Sequence, residues 1–340
     1  AHAPQIHPGC DSNYYSTSER LIMYGLKPDP CVLEVPDKYY STGDYEKGVA
    51  RWCPGCGDHS VLSAVQRLCQ EKQLPPEKTV FVSGIGCSSR FPHYMKTYGF
   101  HGLHGRAFPV AEGVKFRRPD LNVFVVTGDG DCLSIGAGHW IHSIRYNMNL
   151  TVLLFDNQIY GMTKKQTSPT SPMGTISNTH PHGSVLPPIN PVQSTLGVAN
   201  VSFVAQTADW IPGHLYATIK AAHEHQGFSF VKIMMRCTKF LPEQAKQMVG
   251  DKEHMTLLQH PDGIEVDMAT ANLFKHTVQH DPKDINKARE YSEDPDMFYL
   301  GLYYQDKTAP RYDLYGAHNL GATPEQKLQV LEEEFDKFAV

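Results

Sequence analysis

The chain reads as an α/β protein with a mainly parallel sheet flanked by helices and with irregular N- and C-terminal extensions. Three observations predict this. Apolar runs of strand length recur at 79–83, 121–127, 150–155, 201–206 and 228–235. Helically spaced apolar residues fill most of the gaps, and strands alternating with helices favour parallel pairing. Finally, Cys87, Asp129, Asn157 and Cys237 each lie just beyond the end of such a run. Ligands of open α/β sheets bind outside the carboxyl ends of the strands, so these four side chains should share one rim.

The elements follow in order. Residues 1–50 lack periodicity and are rich in Tyr, Pro and Asp, which predicts an extended arm. Trp52-Cys53-Pro54-Gly55-Cys56-Gly57 is a Gly/Pro-shaped turn, and the helix after it places Val61, Leu62, Val65, Leu68 and Cys69 on one face, with Asp58 near its N-cap. The first strand runs into Gly84-Ile-Gly-Cys-Ser-Ser-Arg90. Residues 91–107 are aromatic and rich in Gly and His. A helix over 109–117 leads to the strand ending at Gly128-Asp129-Gly130-Asp131, and a helix over 133–147 leads to the strand ending at Asp156-Asn157. The Ser/Thr/Pro-rich stretch 164–193 is long enough to suggest a functional or partner-bound loop. It holds Lys164-Lys165, read as a solvated pair, and His180-Pro-His182, read as loop. A helix over 211–226 separates the last two strands. Three regions result: an arm at 1–50, an α/β domain at 51–254, and an extension at 255–340 packed on the core and a partner. The extension is expected to be irregular until a final helix, where Thr323, Pro324 and Gln326 supply cap, first-turn proline and capping-box partner.

Composition excludes several function classes. The 340 residues are 41% hydrophobic and carry a net charge of −5, which implies no general affinity for nucleic acid or anionic membranes. No apolar run approaches the roughly 20 residues of a membrane span. No basic segment followed by an apolar one opens the chain, so a cytoplasmic location is expected. Eight cysteines in a chain of this length do not make a small disulfide scaffold.

Two constellations carry chemistry. An acid in a Gly turn after one strand, with an amide after the next, suits Mg²⁺ shared with a diphosphate, because Mg²⁺ takes oxygen ligands and glycines let backbone approach phosphate. Cys53 and Cys56, with Cys87 and Cys237 at strand ends, can supply four thiolates. From residue types alone, a zinc knuckle, a redox pair and an iron–sulfur cluster all stay open.

The segments Trp52-Cys-Pro-Gly-Cys-Gly57, Gly84-Ile-Gly-Cys-Ser-Ser-Arg90, Leu103-His-Gly-Arg-Ala107, Gly128-Asp-Gly-Asp131 and Asp156-Asn-Gln-Ile-Tyr-Gly-Met-Thr163 together resemble the β subunit of the 2-oxoacid:ferredoxin oxidoreductases, over roughly residues 48–240. The resemblance implies a thiamine diphosphate-binding, transketolase-like PP-type fold. It also implies thiamine diphosphate, Mg²⁺ and a 4Fe–4S cluster as cofactors. Cys53, Cys56, Cys87 and Cys237 would hold the cluster, leaving Cys10, Cys31, Cys69 and Cys132 as packing residues. Asp129, Asn157 and the Ile159 carbonyl would hold Mg²⁺. Gly86, Cys87, Ser88, Gly128, Gly130, Asp131, His104 and Thr163 would contact the cofactor, the amides of Gly130 and Asp131 at its diphosphate. One departure from the family's Asn-Asn element is Asp156.

The resemblance further implies that the glutamate at the aminopyrimidine ring comes from elsewhere. Glu112, the acid between the His-Gly-Arg turn and Gly128, reads as a solvated helix residue. The chain should therefore need an α subunit, as a heterodimer or an α2β2 assembly, with coenzyme A, a 2-oxoacid and ferredoxin as its other partners. Arg90 is placed to receive the distal carboxylate of a dicarboxylic acid, which favours 2-oxoglutarate over pyruvate or a broad range of 2-oxoacids. Arg106 and Lys115 read as structural salt-bridge residues. Rival readings are a non-redox thiamine diphosphate decarboxylase and a zinc-stapled interaction subunit.

Overall fold

The structure, a computed structural model, describes residues 39–314 and 323–337. The elements below belong to the compact unit Ser41–Val340. In order they are α1 (Asp58–Glu71), β1 (Thr79–Ser83), β2 (Tyr98–His101), α2 (Ala107–Arg117), β3 (Asn122–Gly128), α3 (Ala137–Tyr146), β4 (Leu150–Asp156), α4 (Pro191–Leu196), β5 (Phe203–Ala208), α5 (Pro212–Glu224) and β6 (Phe228–Met234), followed by α6 (Pro242–Gly250), β7 (Met255–Gln259), α7 (Met268–Ala271), β8 (His276–Gln279), α8 (Ile285–Glu293), β9 (Phe298–Gln305) and α9 (Pro324–Asp336).

The nine strands of the described residues join one sheet in the order β2-β1-β3-β4-β6-β5-β9-β7-β8. Every pairing is parallel except β5 with β9. The central strands β1, β4 and β5 are buried along their whole length. That is why they read as unbroken apolar runs and not as alternating ones. On one face Val82, Val125, Val152 and Leu154 pack with Phe108 and Trp140 of α2 and α3. On the other, Phe81 stacks on Phe124, whose ring lies against His223 of α5, and α1 packs on α5.

The expectation of an irregular segment after 255 is corrected. Residues 255–305 contribute β7, β8 and β9, which extend the sheet past β5. Gly301, at φ +137°, sits inside β9 where a Cβ would come within 2.8 Å of the Leu258 Cβ. It marks a close approach of strands, not a break. The final helix carries the capping box of Thr323 and Gln326. The expectations for residues 1–38, including Cys10 and Cys31, lie outside the described residues. Among those described, no helix is long and apolar enough to cross a membrane.

The connections position the site. From β1 the chain goes to β2 on one side, then crosses to β3 on the other. Strand order therefore reverses at β1, and a crevice opens beyond the carboxyl ends of β1 and β3. The register keeps neighbouring ends level: Ser83 lies beside Val126, Gly128 beside Phe155, and Asp156 beside Met234.

Candidate functional site

A cleft occupies that crevice. Three turns line it, at 85–88, 128–131 and 157–163, together with Asp58, His104 and Phe155. The structure thus brings together Gly86, Cys87, Ser88, His104, Gly128, Asp129, Gly130, Asp131, Asn157, Ile159 and Thr163. Gly130 has to lack a side chain, because a Cβ there would lie 2.1 Å from the Tyr160 ring. Ser88 Oγ is buried in the cleft wall without a hydrogen-bond partner. A polar ligand fits such a site, since a lone buried hydroxyl is costly.

Asp131 holds the cleft in shape. Its Oδ1 accepts from the backbone N–H of Ile85 at 3.0 Å and of Gly105 at 2.7 Å, and its Oδ2 accepts from Thr127 Oγ1 at 2.8 Å. His104 Nδ1 also bonds this carboxylate. That fixes Nδ1 as a donor, so Nε2 is left to meet a ligand. A helix over 133–147 was expected, but the chain makes a π-turn at Asp131–Ile135 and starts α3 only at Ala137. Gly105 and Gly136 explain this: a Cβ on Gly105 would be 2.6 Å from Gly136 N, so both turns must be bare to touch. The wider turn aims Asp131 back at the cleft, as π-turns often do at functional sites.

Two buried acids lie at the ends of β3 and β4: Asp129, which lines the cleft, and Asp156, which does not. Thr170 Oγ1 is 2.7 Å from Asp129 Oδ2 and 2.7 Å from Asp156 Oδ1. Lys232 Nζ lies 3.4 Å from Asp156 Oδ2. One hydroxyl has one proton, so Thr170 donates to only one acid at a time. Burial, and then the charge of Asp156, push the Asp129 carboxyl up. A divalent cation at Asp129 removes that conflict by favouring the ionised form. The oxygen-only donor set of Asp129, Asn157 and the Ile159 carbonyl therefore fits Mg²⁺. Asp156, which departs from the family's Asn, serves here as the second seat of Thr170.

The four cysteines converge on the same rim. Cys53 is exposed, and Cys56, Cys87 and Cys237 are half-buried. A Cβ on Gly161 would sit 3.4 Å from Cys87 Sγ and 3.9 Å from Cys237 Sγ. Burial, then Asp58, Cys237 and Cys53, push the Cys87 thiol up to about 12. Cys56 is pushed up by burial, Asp58 and Cys87. Three contacts fix the arrangement. Trp52 Nε1 donates to the Cys87 carbonyl at 2.7 Å, Thr238 Oγ1 donates to the Pro54 carbonyl at 2.9 Å, and the backbone N–H of Gly57 donates to the Arg236 carbonyl at 3.5 Å. Among the described residues, no three His, Cys, Asp or Glu side chains are close enough to share one metal ion. Four grouped thiols are a donor set that suits a zinc knuckle or an iron–sulfur cluster. Cys69 and Cys132 are buried away from this group as packing residues.

Beneath the Cys53–Cys56 turn lies a buried acidic pair. Asp58 lies next to the N-cap, Gly57, as the first helical residue. Its Oδ2 has no partner, and burial pushes the carboxyl up to about 7. Asp209 is pushed to about 6 by burial, opposed by Arg236 at 2.9 Å. A raised carboxyl pKa contributes stability that is present below the unfolded value and lost as pH rises through the folded one. In the isolated chain, Asp58→Asn should therefore match the wild type near pH 4. It should gain stability as pH rises and level off above about 7. Urea unfolding of both proteins from pH 4 to 8 measures this; a pH-independent difference would contradict it.

Arg90 does not line the cleft. It is half-buried three residues beyond Cys87, with its guanidinium 5.9 Å from the Tyr94 ring centroid. Among the described residues it has no ion-pair partner. Glu112 corrects the expectation of a solvated residue: it is half-buried, accepts from Ser143 Oγ at 2.5 Å, and sits between α2 and α3. Among the described residues Lys115 forms no salt bridge; it is buried and donates to the carbonyls of Pro119 and Leu121 at 3.0 and 2.7 Å. Sequence reasoning missed the parts played by Thr170, Asp58 and Trp52. Trp52 adjoins a cysteine and was a readable signal; Thr170 is one hydroxyl among many in its segment and was not.

Comparison with known proteins converges on the same cleft. Residues 84–233 match the family described as thiamine pyrophosphate enzyme, C-terminal TPP binding domain. A 2-oxoglutarate oxidoreductase subunit KorB of Mycobacterium tuberculosis is 46% identical over 225 residues, which is 66% of this chain and 59% of that protein. The 2-oxoacid:ferredoxin oxidoreductase 2, subunit beta, of Aeropyrum pernix is 35% identical over 263 residues, covering 77% of this chain and 82% of that one. A solved 2-oxoglutarate:ferredoxin oxidoreductase from Magnetococcus marinus, with 2-oxoglutarate, coenzyme A and succinyl-CoA bound, aligns with a TM-score of 0.73 at 35% identity. That alignment covers 86% of this chain and 96% of the other.

Proposed function

The chain belongs to the β subunits of the 2-oxoacid:ferredoxin oxidoreductases, and we propose that with an α subunit it interconverts 2-oxoglutarate and succinyl-CoA. In the oxidative direction, 2-oxoglutarate, coenzyme A and two oxidised ferredoxins give succinyl-CoA, CO₂, two reduced ferredoxins and one proton. When bound, thiamine diphosphate supplies carbanion chemistry at the carbonyl carbon of a 2-oxoacid, and a 4Fe–4S cluster supplies one-electron transfer.

One observation carries this reading: Cys87 belongs both to the cofactor cleft and to the converging cysteines. A cluster held there would adjoin the cofactor cleft that Cys87 lines. Asp129, Asn157 and the Ile159 carbonyl hold Mg²⁺. Backbone amides at Gly130 and Asp131, with His104 and Thr163, hold the diphosphate, and Gly86 and Ser88 form the facing wall. Cys53, Cys56, Cys87 and Cys237 hold the cluster. Arg90, three residues beyond Cys87 and outside the cleft lining, receives the distal carboxylate of 2-oxoglutarate where the substrate extends past the cleft; the names of several relatives suggest the same preference. No glutamate lines the cleft: its acids are Asp58, beneath the Cys53–Cys56 turn, Asp129, which faces the cation, and Asp131, which is fully engaged. The α subunit supplies the glutamate at the aminopyrimidine ring, and the active site forms at the subunit interface.

Steady-state reduction of ferredoxin by the purified complex tests the reading. Turnover should require coenzyme A and favour 2-oxoglutarate over pyruvate in kcat/KM. Equal use of the two acids would remove the substrate assignment, and turnover without an electron acceptor would remove the redox one.

A further inference from the structure

The segment 164–190 follows the turn that carries Asn157 and Ile159, and it contains no helix or strand. It is nevertheless anchored to the cleft-lining Asp129. Thr170 is 2% exposed and sits between the two strand-end acids, with its Oγ1 2.7 Å from a carboxylate oxygen of each. Ser171 Oγ donates to the Gln158 carbonyl at 2.6 Å and accepts from the backbone N–H of Ser168 at 2.8 Å. The Ser168–Ser171 turn therefore touches both Asp129 and the turn bearing the other cation ligands. At the start of the segment, Lys164 and Lys165 have φ of +73° and +74°. Two successive side-chain-bearing residues adopt this conformation only where their surroundings impose it. Here Asn178 closes over them, its backbone N–H donating to the Lys165 carbonyl at 3.0 Å and its Nδ2 donating to the Lys164 carbonyl at 2.5 Å.

We propose that Thr170 is a positioning residue for the cation–diphosphate site, and that through it cofactor binding and the order of segment 164–190 are linked. The inference rests on the functional reading above. Thr170 fixes the position of the Asp129 carboxylate through Oδ2, and a cation held by the same carboxylate fixes that position in turn and so favours the Thr170 seat. By reciprocity, a seated Thr170 favours the cation by the same factor. The chain thus couples the fixing of its long loop to the presence of cofactor.

The test uses the purified complex stripped of Mg²⁺ and thiamine diphosphate. Calorimetry gives the Kd for the Mg²⁺–thiamine diphosphate pair, and hydrogen exchange follows amides of 164–190 with and without it. Wild type should bind, with slowed exchange across the segment. Thr170→Val keeps shape but loses the hydroxyl; it should raise Kd about tenfold or more and lose the exchange protection. Thr170→Ser should restore both. A wild-type Kd in Thr170→Val, or Thr170→Ser as impaired as Thr170→Val, would overturn the proposal. So would a wild-type segment whose exchange ignores the cofactor, even if the valine variant fails to assemble. A wild-type complex that binds no thiamine diphosphate would overturn the functional reading instead.

Discussion

Replacing Cys237 with serine is expected to abolish ferredoxin reduction while the complex still binds thiamine diphosphate. Cys237 follows β6 and shares the surroundings of Gly161 with Cys87, but unlike Cys87 it does not line the cleft. Its loss therefore separates the electron path from the cofactor site. Serine is close in size, and the Leu241 N–H still reaches the residue-237 carbonyl, 3.1 Å away in the wild type. Iron content should fall while thiamine content holds. A Cys237→Ser complex with full iron and full ferredoxin turnover would show that Cys237 is no cluster ligand.

The second large effect concerns substrate choice. Arg90→Leu should lower kcat/KM for 2-oxoglutarate by roughly 30- to 150-fold, the equivalent of about 2–3 kcal/mol for charged hydrogen bonds to a carboxylate. Turnover of pyruvate, which has no distal carboxylate, should change little. The side chain already lies over Tyr94 without an acidic partner among the described residues, so its removal strands no buried charge and should cost little stability. Equal losses with both acids would show that Arg90 shapes the cleft and does not read the substrate. An unchanged rate with 2-oxoglutarate would remove its role altogether.

The parts of the fold legible in the sequence are those that burial makes regular. β1, β4 and β5 are buried end to end, so their apolar runs stand out. β2 is exposed at all four residues and lies at the sheet edge, so it offers no pattern. β8 is four mostly exposed residues at the other edge. β9 was obscured by Gly301, whose absent side chain makes room for Leu258. In the cleft, the glycines, Asp129, Asn157 and Cys87 could be read because backbone approach and ligand type restrict residue choice. The roles of Asp58, Asp131 and Thr170 could not, because they depend on which distant groups the fold brings against each carboxylate and hydroxyl.

The proposed function makes one chain hold half of a thiamine site and the first stop of an electron path. Anaerobic purification of the native complex, followed by iron, acid-labile sulfide, zinc and thiamine analysis, tests this most directly. The expected result is a brown protein with about four irons and four sulfides per chain, and thiamine diphosphate in equal amount to the chain. A colourless complex with stoichiometric zinc, or one without thiamine, would contradict it.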